Sequence, residues 1–207
     1  QKKQEGNYWD SFLNIDFDYD KRNQKFQTSD GFRSFYSVDL PILSENYTVT
    51  NFYNYKIFSE LYENNITSLG FSLKTANSLT DDDIKLSERL YIPQKQLRGF
   101  INGGIGPKDG DDFIGGNYYA VINLNSSLPQ VLPNSQNFEV ATFVDIGNLW
   151  GVDDPSLDTS SKIRSSVGIG VDWFTPVGPM SFSLAQPLSK KKTDKTETFR
   201  FNLGTTF

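Results

Sequence analysis

Along most of this chain large apolar side chains fall on every second residue, with small or charged ones in the places between. The run from Ile163 to Trp173 is the clearest: Ile163, Val167, Ile169, Val171 and Trp173 share one parity, and Arg164, Ser166, Gly168, Gly170 and Asp172 the other. Successive side chains of a strand point to opposite faces, so the pattern predicts a β-strand with one apolar and one polar face. The alternation recurs at Phe199, Phe201, Leu203 and Phe207, at Met180, Phe182, Leu184 and Leu188, at Phe138, Val140, Val144 and Ile146, and at Tyr118, Ala120, Ile122 and Leu124. Leu69, Phe71 and Leu73 form a shorter row. Three more precede it: Val49, Tyr53, Tyr55, Ile57 and Leu61; Phe32, Tyr36, Val38 and Leu40; and Trp9, Leu13, Ile15, Phe17 and Tyr19. The pattern predicts about nine strands, most of them about 10–15 residues long, longer than the strands of soluble sheets and matching a tilted membrane span with an overhang.

The polar rows hold the charges, among them Arg33, Asp39, Lys56, Glu60, Asp145, Arg164, Asp172 and Arg200. A membrane barrel needs a polar lumen, an apolar outer band and a closed sheet, because lipid cannot satisfy open strand edges. Tyr8, Trp9, Tyr19, Trp150 and Trp173 suit the aromatic girdles at its two interfaces. The fold class this favours is all-β, an antiparallel transmembrane β-barrel. The alternative is a lipocalin-like soluble barrel with the apolar rows inside. Connections counted back from Phe207 alternate short and long, as they do between the periplasmic and external ends of outer-membrane barrels. With a periplasmic C-terminus, the connections at 20–24, 62–65 and 128–137 are periplasmic and the segment 76–115 is an external loop. That loop is far longer than ordinary connections, as functional loops often are. Nine is odd, whereas single-chain bacterial barrels have even strand numbers, so the chain is expected to be a fragment. Its start at Gln1, without an initiator Met or a secretory leader, agrees with a processed or excised piece.

Composition narrows the chemistry. There is no Cys and no His, which removes thiol nucleophiles, thiolate and imidazole metal sites and the commonest general base. The chain carries 20 basic and 25 acidic residues for a net charge of −5, which argues against a nucleic-acid partner. Only 37% of residues are hydrophobic, yet 14% are aromatic, with 17 Phe and 10 Tyr, too many for a disordered chain. Half-wet strands account for both figures. An outer-membrane hydrolase would need paired carboxylates or Ser with Lys, and no such constellation stands out. Asp81-Asp82-Asp83 and Asp109-Gly110-Asp111-Asp112 lack the spaced ligands of a calcium loop and read as solvated acidic loops. Lys190, Lys191, Lys192 and Lys195 are read as a solvated hairpin, with lipopolysaccharide phosphates as the alternative partner. Gly103-Gly104-Ile105-Gly106 lacks the strand-to-helix context of a nucleotide loop and reads as turn chemistry.

Within the long loop stand Leu97-Arg98-Gly99-Phe100, then Ile105-Gly106-Pro107, and Gly115-Gly116-Asn117 at the next strand. Phe143-Val144-Asp145-Ile146-Gly147, Trp173-Phe174-Thr175-Pro176-Val177-Gly178-Pro179 and Ala185-Gln186-Pro187 follow in order, and the chain ends on an aromatic residue after Phe199-Arg200-Phe201-Asn202-Leu203-Gly204. This ordered set resembles the outer-membrane assembly factors of the bacterial surface antigen superfamily, strongly over 87–207 and only in strand character over 1–75. Leu97, Arg98, Gly99 and Phe100 match that family's V/L-R-G-F/Y loop motif, and Phe143, Asp145 and Gly147 its F-x-D-x-G strand motif. The resemblance implies a barrel of roughly sixteen strands, within the range of such barrels, carried behind periplasmic POTRA domains. Residues 1–207 are then the C-terminal part of the barrel, about nine of its strands, with a final β-signal strand over 197–207. An isolated half-barrel would expose two edges and should not insert stably.

The resemblance also implies that the loop tucks into the lumen, with Arg98 reaching toward the F-x-D strand; parity independently puts Phe143 and Asp145 on the lumen face. Arginine keeps its charge and offers a planar donor fork, Gly99 allows a sharp turn, and Phe100 supplies an apolar plug. Asn125 stands where some family members carry an acidic residue, and Ile92-Pro93-Gln94 lacks the Gly-Gly often found before the motif. The implied activity is insertion of β-barrel proteins into the bacterial outer membrane without covalent chemistry or cofactors. Gly204 would weaken the last strand, among Phe199, Phe201 and Phe207, so that its seam with the first strand opens to an incoming strand. Implied partners are unfolded β-barrel precursors, outer-membrane lipids including lipopolysaccharide, and periplasmic assembly lipoproteins reached through the POTRA domains. The alternative within the superfamily is a related translocation factor or a two-partner secretion pore.

Overall fold

The computed structural model describes residues 10–25, 27–44, 47–128, 137–154, 156–157, 162–175 and 178–203. Each apolar row becomes a strand: β1 (Ser11–Asp20), β2 (Gly31–Leu43), β3 (Thr48–Tyr62), β4 (Asn65–Ser78), β7 (Tyr118–Ser127), β8 (Phe138–Trp150), β9 (Arg164–Thr175), β10 (Gly178–Ser189) and β11 (Phe199–Leu203). They pair antiparallel in chain order as one nine-stranded sheet with β1 and β11 at its edges. A two-stranded hairpin within the long loop supplies β5 (Lys108–Asp109) and β6 (Asp112–Phe113). No helix among the described residues is long and apolar enough to cross a membrane.

One face of the sheet is exposed and apolar. Leu13, Phe17, Ile57, Leu69, Ile122, Ile146, Ile169, Leu184 and Phe201 all lie on it with large accessible areas. Cross-strand aromatic pairs tile it, Phe138 stacked on Trp173 at 5.3 Å and Phe182 against Phe201 at 5.0 Å, contacts that also pin register. This is the face that lipid covers in a membrane barrel. The buried apolar side chains lie on the other face. There Ile84, Leu90, Ile92, Leu97, Phe100 and Ile105 of the 79–117 loop pack on Ala76 of β4, Tyr119 and Val121 of β7 and Leu149 of β8.

Two elements differ from the alternation. β4 runs from Asn65 to Ser78, longer than its apolar row, because Thr67 and Thr75 occupy outward positions beyond Leu69 and Leu73. The connection between β1 and β2 spans 21–30. Asn23 builds it with its own side chain, Oδ1 accepting from the backbone N–H groups of Gln24, Ser29 and Asp30. With β7 and β8 separated by 128–137, the alternation of short and long connections is imperfect.

Candidate functional site

The 79–117 loop delivers Arg98 to the inner wall, where β7 and β8 have set out matching acceptors. Cross-strand register places Asn123 opposite Asp145 and Asn125 opposite Phe143. Arg98 Nε donates to Asp145 Oδ2 at 2.8 Å, and Nη2 donates to Asp145 Oδ1 at 2.7 Å and to Asn125 Oδ1 at 2.8 Å. The guanidinium carbon lies 3.4 Å from the centre of the Phe143 ring, so the fork is stacked as well as paired. The Arg98 backbone N–H donates to Asp145 Oδ2 at 3.0 Å, and Asn123 Nδ2 to Oδ1 at 2.7 Å and to the Gln96 carbonyl at 2.7 Å. Asp145 is completely buried, whereas Arg98 keeps 19% of its side-chain area. Asn125 thus gives Arg98 a neutral acceptor beside the Asp145 carboxylate.

The neighbours of Arg98 need specific room. Gly99 has φ +91°, in the left-handed region that glycine tolerates, and a Cβ there would lie 3.3 Å from those of Ser166 and Ala185. Ser166 donates its hydroxyl to the Arg98 carbonyl. Leu97 and Phe100, each 2% exposed, are plugs in the loop core. A Cβ at Gly147 would crowd the Ala120 carbonyl oxygen and Val121 Cγ2, each at 3.1 Å, with Leu97 Cδ1 at ordinary contact distance, 3.6 Å. Gly168, opposite Phe143, is stricter: a Cβ would sit 2.4 Å from the Phe143 ring and 2.1 Å from the Leu184 carbonyl oxygen. The absence of a side chain there is what lets Phe143 lie flat under Arg98.

Further anchors lie where alternation carries no information. Arg164 and Asp194 form a fully buried pair, Nε and Nη2 each donating to a carboxylate oxygen at 3.0 Å, while Arg164 Nη1 donates to Asn148 Oδ1 and the Lys162 carbonyl. Asp153 accepts from the Ile84 N–H and from Asn117 Nδ2. Glu88 accepts from the Thr48 hydroxyl at 2.6 Å. Parity puts Arg164 inside, and because the carboxylate of its own row, Asp172, stands eight residues along the strand, the signal points to a partner from a loop. In the last strand Phe199 and Phe201 lie on the exposed face, with Arg200 between them on the buried one. Gly204 and Phe207 lie outside the described residues.

Asp81, Asp82 and Asp83 are solvent-exposed, and Asp109-Gly110-Asp111-Asp112 is the turn of the β5–β6 hairpin, with Gly110 at φ +61°. Among the described residues no group of three or more acidic side chains is arranged to hold a metal ion. Burial raises the Tyr91 phenol above its ordinary range, and Ser156, through its hydroxyl and N–H, holds Asp154 below the usual carboxylate range. Chemically the site is a clamp: a cationic fork in a socket of carboxylate, amide and aromatic ring.

Comparison with known proteins agrees with this architecture. A family model described as the Omp85 superfamily domain matches residues 1–207. The chain is 34% identical over 128 residues to the outer membrane protein assembly factor BamA of Neorickettsia risticii, covering 60% of this chain and 17% of that protein. It is 32% identical over 141 residues to the BamA of Neisseria meningitidis, covering 54% and 17%. The sorting assembly machinery 50 kDa subunit of Saccharomyces cerevisiae is 29% identical over 119 residues, covering 54% and 25%. The chain thus spans about a sixth of the two BamA relatives. The crystal structure of Haemophilus ducreyi BamA lacking POTRA domains 1–3 shares the fold with a TM-score of 0.83 at 24% identity, over 92% of this chain and 41% of that one. With the family match extending over every residue, the chain belongs to the Omp85 superfamily and forms part of an outer-membrane β-barrel, similar to the C-terminal barrel portion of BamA.

Proposed function

We propose that this segment serves the insertion of β-barrel proteins into the outer membrane, and that the Arg98 clamp holds the long loop against the inner wall so that the barrel seam keeps a working geometry. The observation that carries the reading is the Arg98–Asp145 pair, a two-point ion pair on a completely buried carboxylate. Such a pair is expensive to break and fixes direction as well as distance, which suits a device that sets geometry. Relatives named as outer-membrane assembly factors and as a sorting assembly machinery subunit support the same assignment. The long loop, which the structure bounds at 79–117 rather than 76–115 because β4 continues to Ser78, acts as an external loop that returns into the lumen, and 197–207 as the terminal strand. The chemistry is strand pairing, with unfolded β-barrel precursors as substrates: a seam weakened near Gly204, on the strand whose Phe199 and Phe201 face lipid, opens sideways and offers its edge to the incoming strand. Outer-membrane lipids, including lipopolysaccharide, surround the outer face, and periplasmic lipoproteins act through POTRA domains elsewhere in the complete protein. The test is charge reversal in the complete protein: Arg98→Asp, Asp145→Arg and both together, with barrel assembly followed in cells. Each single reversal is expected to impair assembly and the double to recover part of it. Full activity in both single variants would overturn the proposal.

A further inference from the structure

β11 is an edge of the sheet and pairs with β10 only over Met180↔Leu203 to Leu184↔Phe199, the shortest register in the sheet among the described residues. Its one inward arginine does not face the neighbouring strand alone. Arg200, 7% exposed, donates from Nη1 to the Gln94 carbonyl at 2.7 Å and from Nη2 to the Phe100 carbonyl at 2.7 Å. Those two carbonyls lie on either side of Arg98. Glu197 orients the fork, its Oε2 accepting from Arg200 Nε at 2.9 Å and Nη2 at 2.6 Å. The backbone leading into β11 adds its own ladder to the loop: Glu197 N–H donates to the Gly99 carbonyl at 3.0 Å, Phe100 bridges Thr196, Ile101 N–H donates to the Lys195 carbonyl at 3.0 Å, and Lys195 N–H to the Gly104 carbonyl at 2.8 Å. The turn before this run is fixed in place by the buried Arg164–Asp194 pair.

We infer that Arg200 is a positioning residue that ties the edge strand to the Arg98 loop, so that the Phe199 end of β11 is clamped, no such tie holds Leu203 among the described residues, and the edge frays from the Leu203 end. The two arginines then form one coupled device. Arg98 fixes residues 97–100 to β7 and β8, and Arg200 passes that fixed position to the strand at the sheet edge. Coupling of this kind is reciprocal: whatever unseats the loop loosens the Phe199 end of β11, and whatever loosens that end unseats the loop. The functional consequence rests on the assembly reading, whereas the coupling itself does not.

The experiment is amide hydrogen exchange in the complete protein, reconstituted in bilayers, for wild type, Arg200→Ala, Arg98→Ala and the double variant. In wild type the amides at the Phe199 end of β11 exchange more slowly than those at the Leu203 end. Arg200→Ala speeds exchange at residues 199–201 and at loop residues 96–101 by about tenfold or more, the loss of two bonds from a charged donor, while β8 and β9 keep their rates. Arg98→Ala, although it touches β7 and β8 rather than β11, also speeds exchange at 199–201, and it adds little in the Arg200→Ala background. A merely local role for Arg200 would leave the Arg98→Ala effect on β11 absent, and that result overturns the inference, as does an unchanged rate at 199–201 in Arg200→Ala. Assembly in cells is scored alongside. Shifted exchange with normal assembly in Arg200→Ala keeps the coupling and counts against the assembly reading; unshifted exchange removes the coupling whatever assembly does.

Discussion

Arg98→Ala is the sharpest perturbation of the site, because what it leaves behind is known atom by atom. Asp145 stays completely buried and loses both guanidinium bonds, at 2.8 and 2.7 Å. It keeps only the N–H of residue 98 and Asn123 Nδ2. Stranding a buried charge costs about 3–5 kcal/mol, and the retained donors favour the lower end. The lost stacking on Phe143 adds about 1 kcal/mol. A total near 3–4 kcal/mol shifts the seating of the loop by about 10²- to 10³-fold. Hydrogen exchange at residues 96–101 of the complete protein reads that factor directly. The pairwise part is isolated by a cycle: in the Arg98→Ala background, Asp145→Asn removes the stranded charge while Asn123 still has an acceptor, so the double variant exchanges more slowly than Arg98→Ala alone. Arg98→Lys keeps the charge but loses the planar fork and the two-sided reach to Asp145 and Asn125, and falls between. Exchange within threefold of wild type in Arg98→Ala, or strict additivity in the cycle, would refute the reasoning.

Three further outcomes follow from the same geometry. Gly168→Ala, which drives a Cβ to 2.1 Å from the Leu184 carbonyl oxygen, costs about 3 kcal/mol in thermal unfolding of the complete protein; Phe143→Ala does not rescue it, because the backbone clash remains. Arg164→Ala and Asp194→Ala each destabilise by about 3–5 kcal/mol, and the double variant by less than the sum, measured by denaturant unfolding. Asn125→Ala, which removes one acceptor of Arg98, speeds loop exchange by about fivefold, from roughly 1 kcal/mol, while Asn125→Asp restores or slows it.

How far the sequence is legible follows from where each residue sits. Alternation has meaning only where backbone is extended, so it locates all nine strands of the sheet and assigns Asp145, Arg164 and Arg200 to the inner face. It understates β4, whose outward ends carry threonine rather than apolar side chains. The partners of the inward arginines were not legible. Asp194 lies thirty residues from Arg164, and Gln94 and Phe100 about a hundred from Arg200, all in segments without period. Arg98 and Asp145 are exceptions because a motif resemblance names one and parity places the other. Arg200 contributes to the loop through backbone carbonyls, which every sequence offers, so no pattern of side chains could announce it.

The inner wall explains why the loop belongs to the sheet rather than decorating it. Most inward residues are small or polar, as Ser68, Ser72, Ser166 and Gly168 are, and they make no core among themselves. The inward face turns apolar at Ala76, Tyr119, Val121 and Leu149, where the loop lays Ile84, Leu90, Leu97 and Phe100. Outward apolar residues answer to lipid instead. Adjacent positions on β7 separate the two demands: Val121 is 1% exposed beneath the loop and Ile122 is 43% exposed on the outer face. Val121→Asn should therefore unseat the loop, with about 3 kcal/mol from lost burial and an unpaired amide, seen as faster exchange at 96–101 while the barrel still inserts. Ile122→Asn should leave loop exchange unchanged and weaken insertion into bilayers. Were both substitutions to raise loop exchange equally, the division of the strand between a loop-facing and a lipid-facing side would fail, and with it the assignment of the outer face to lipid.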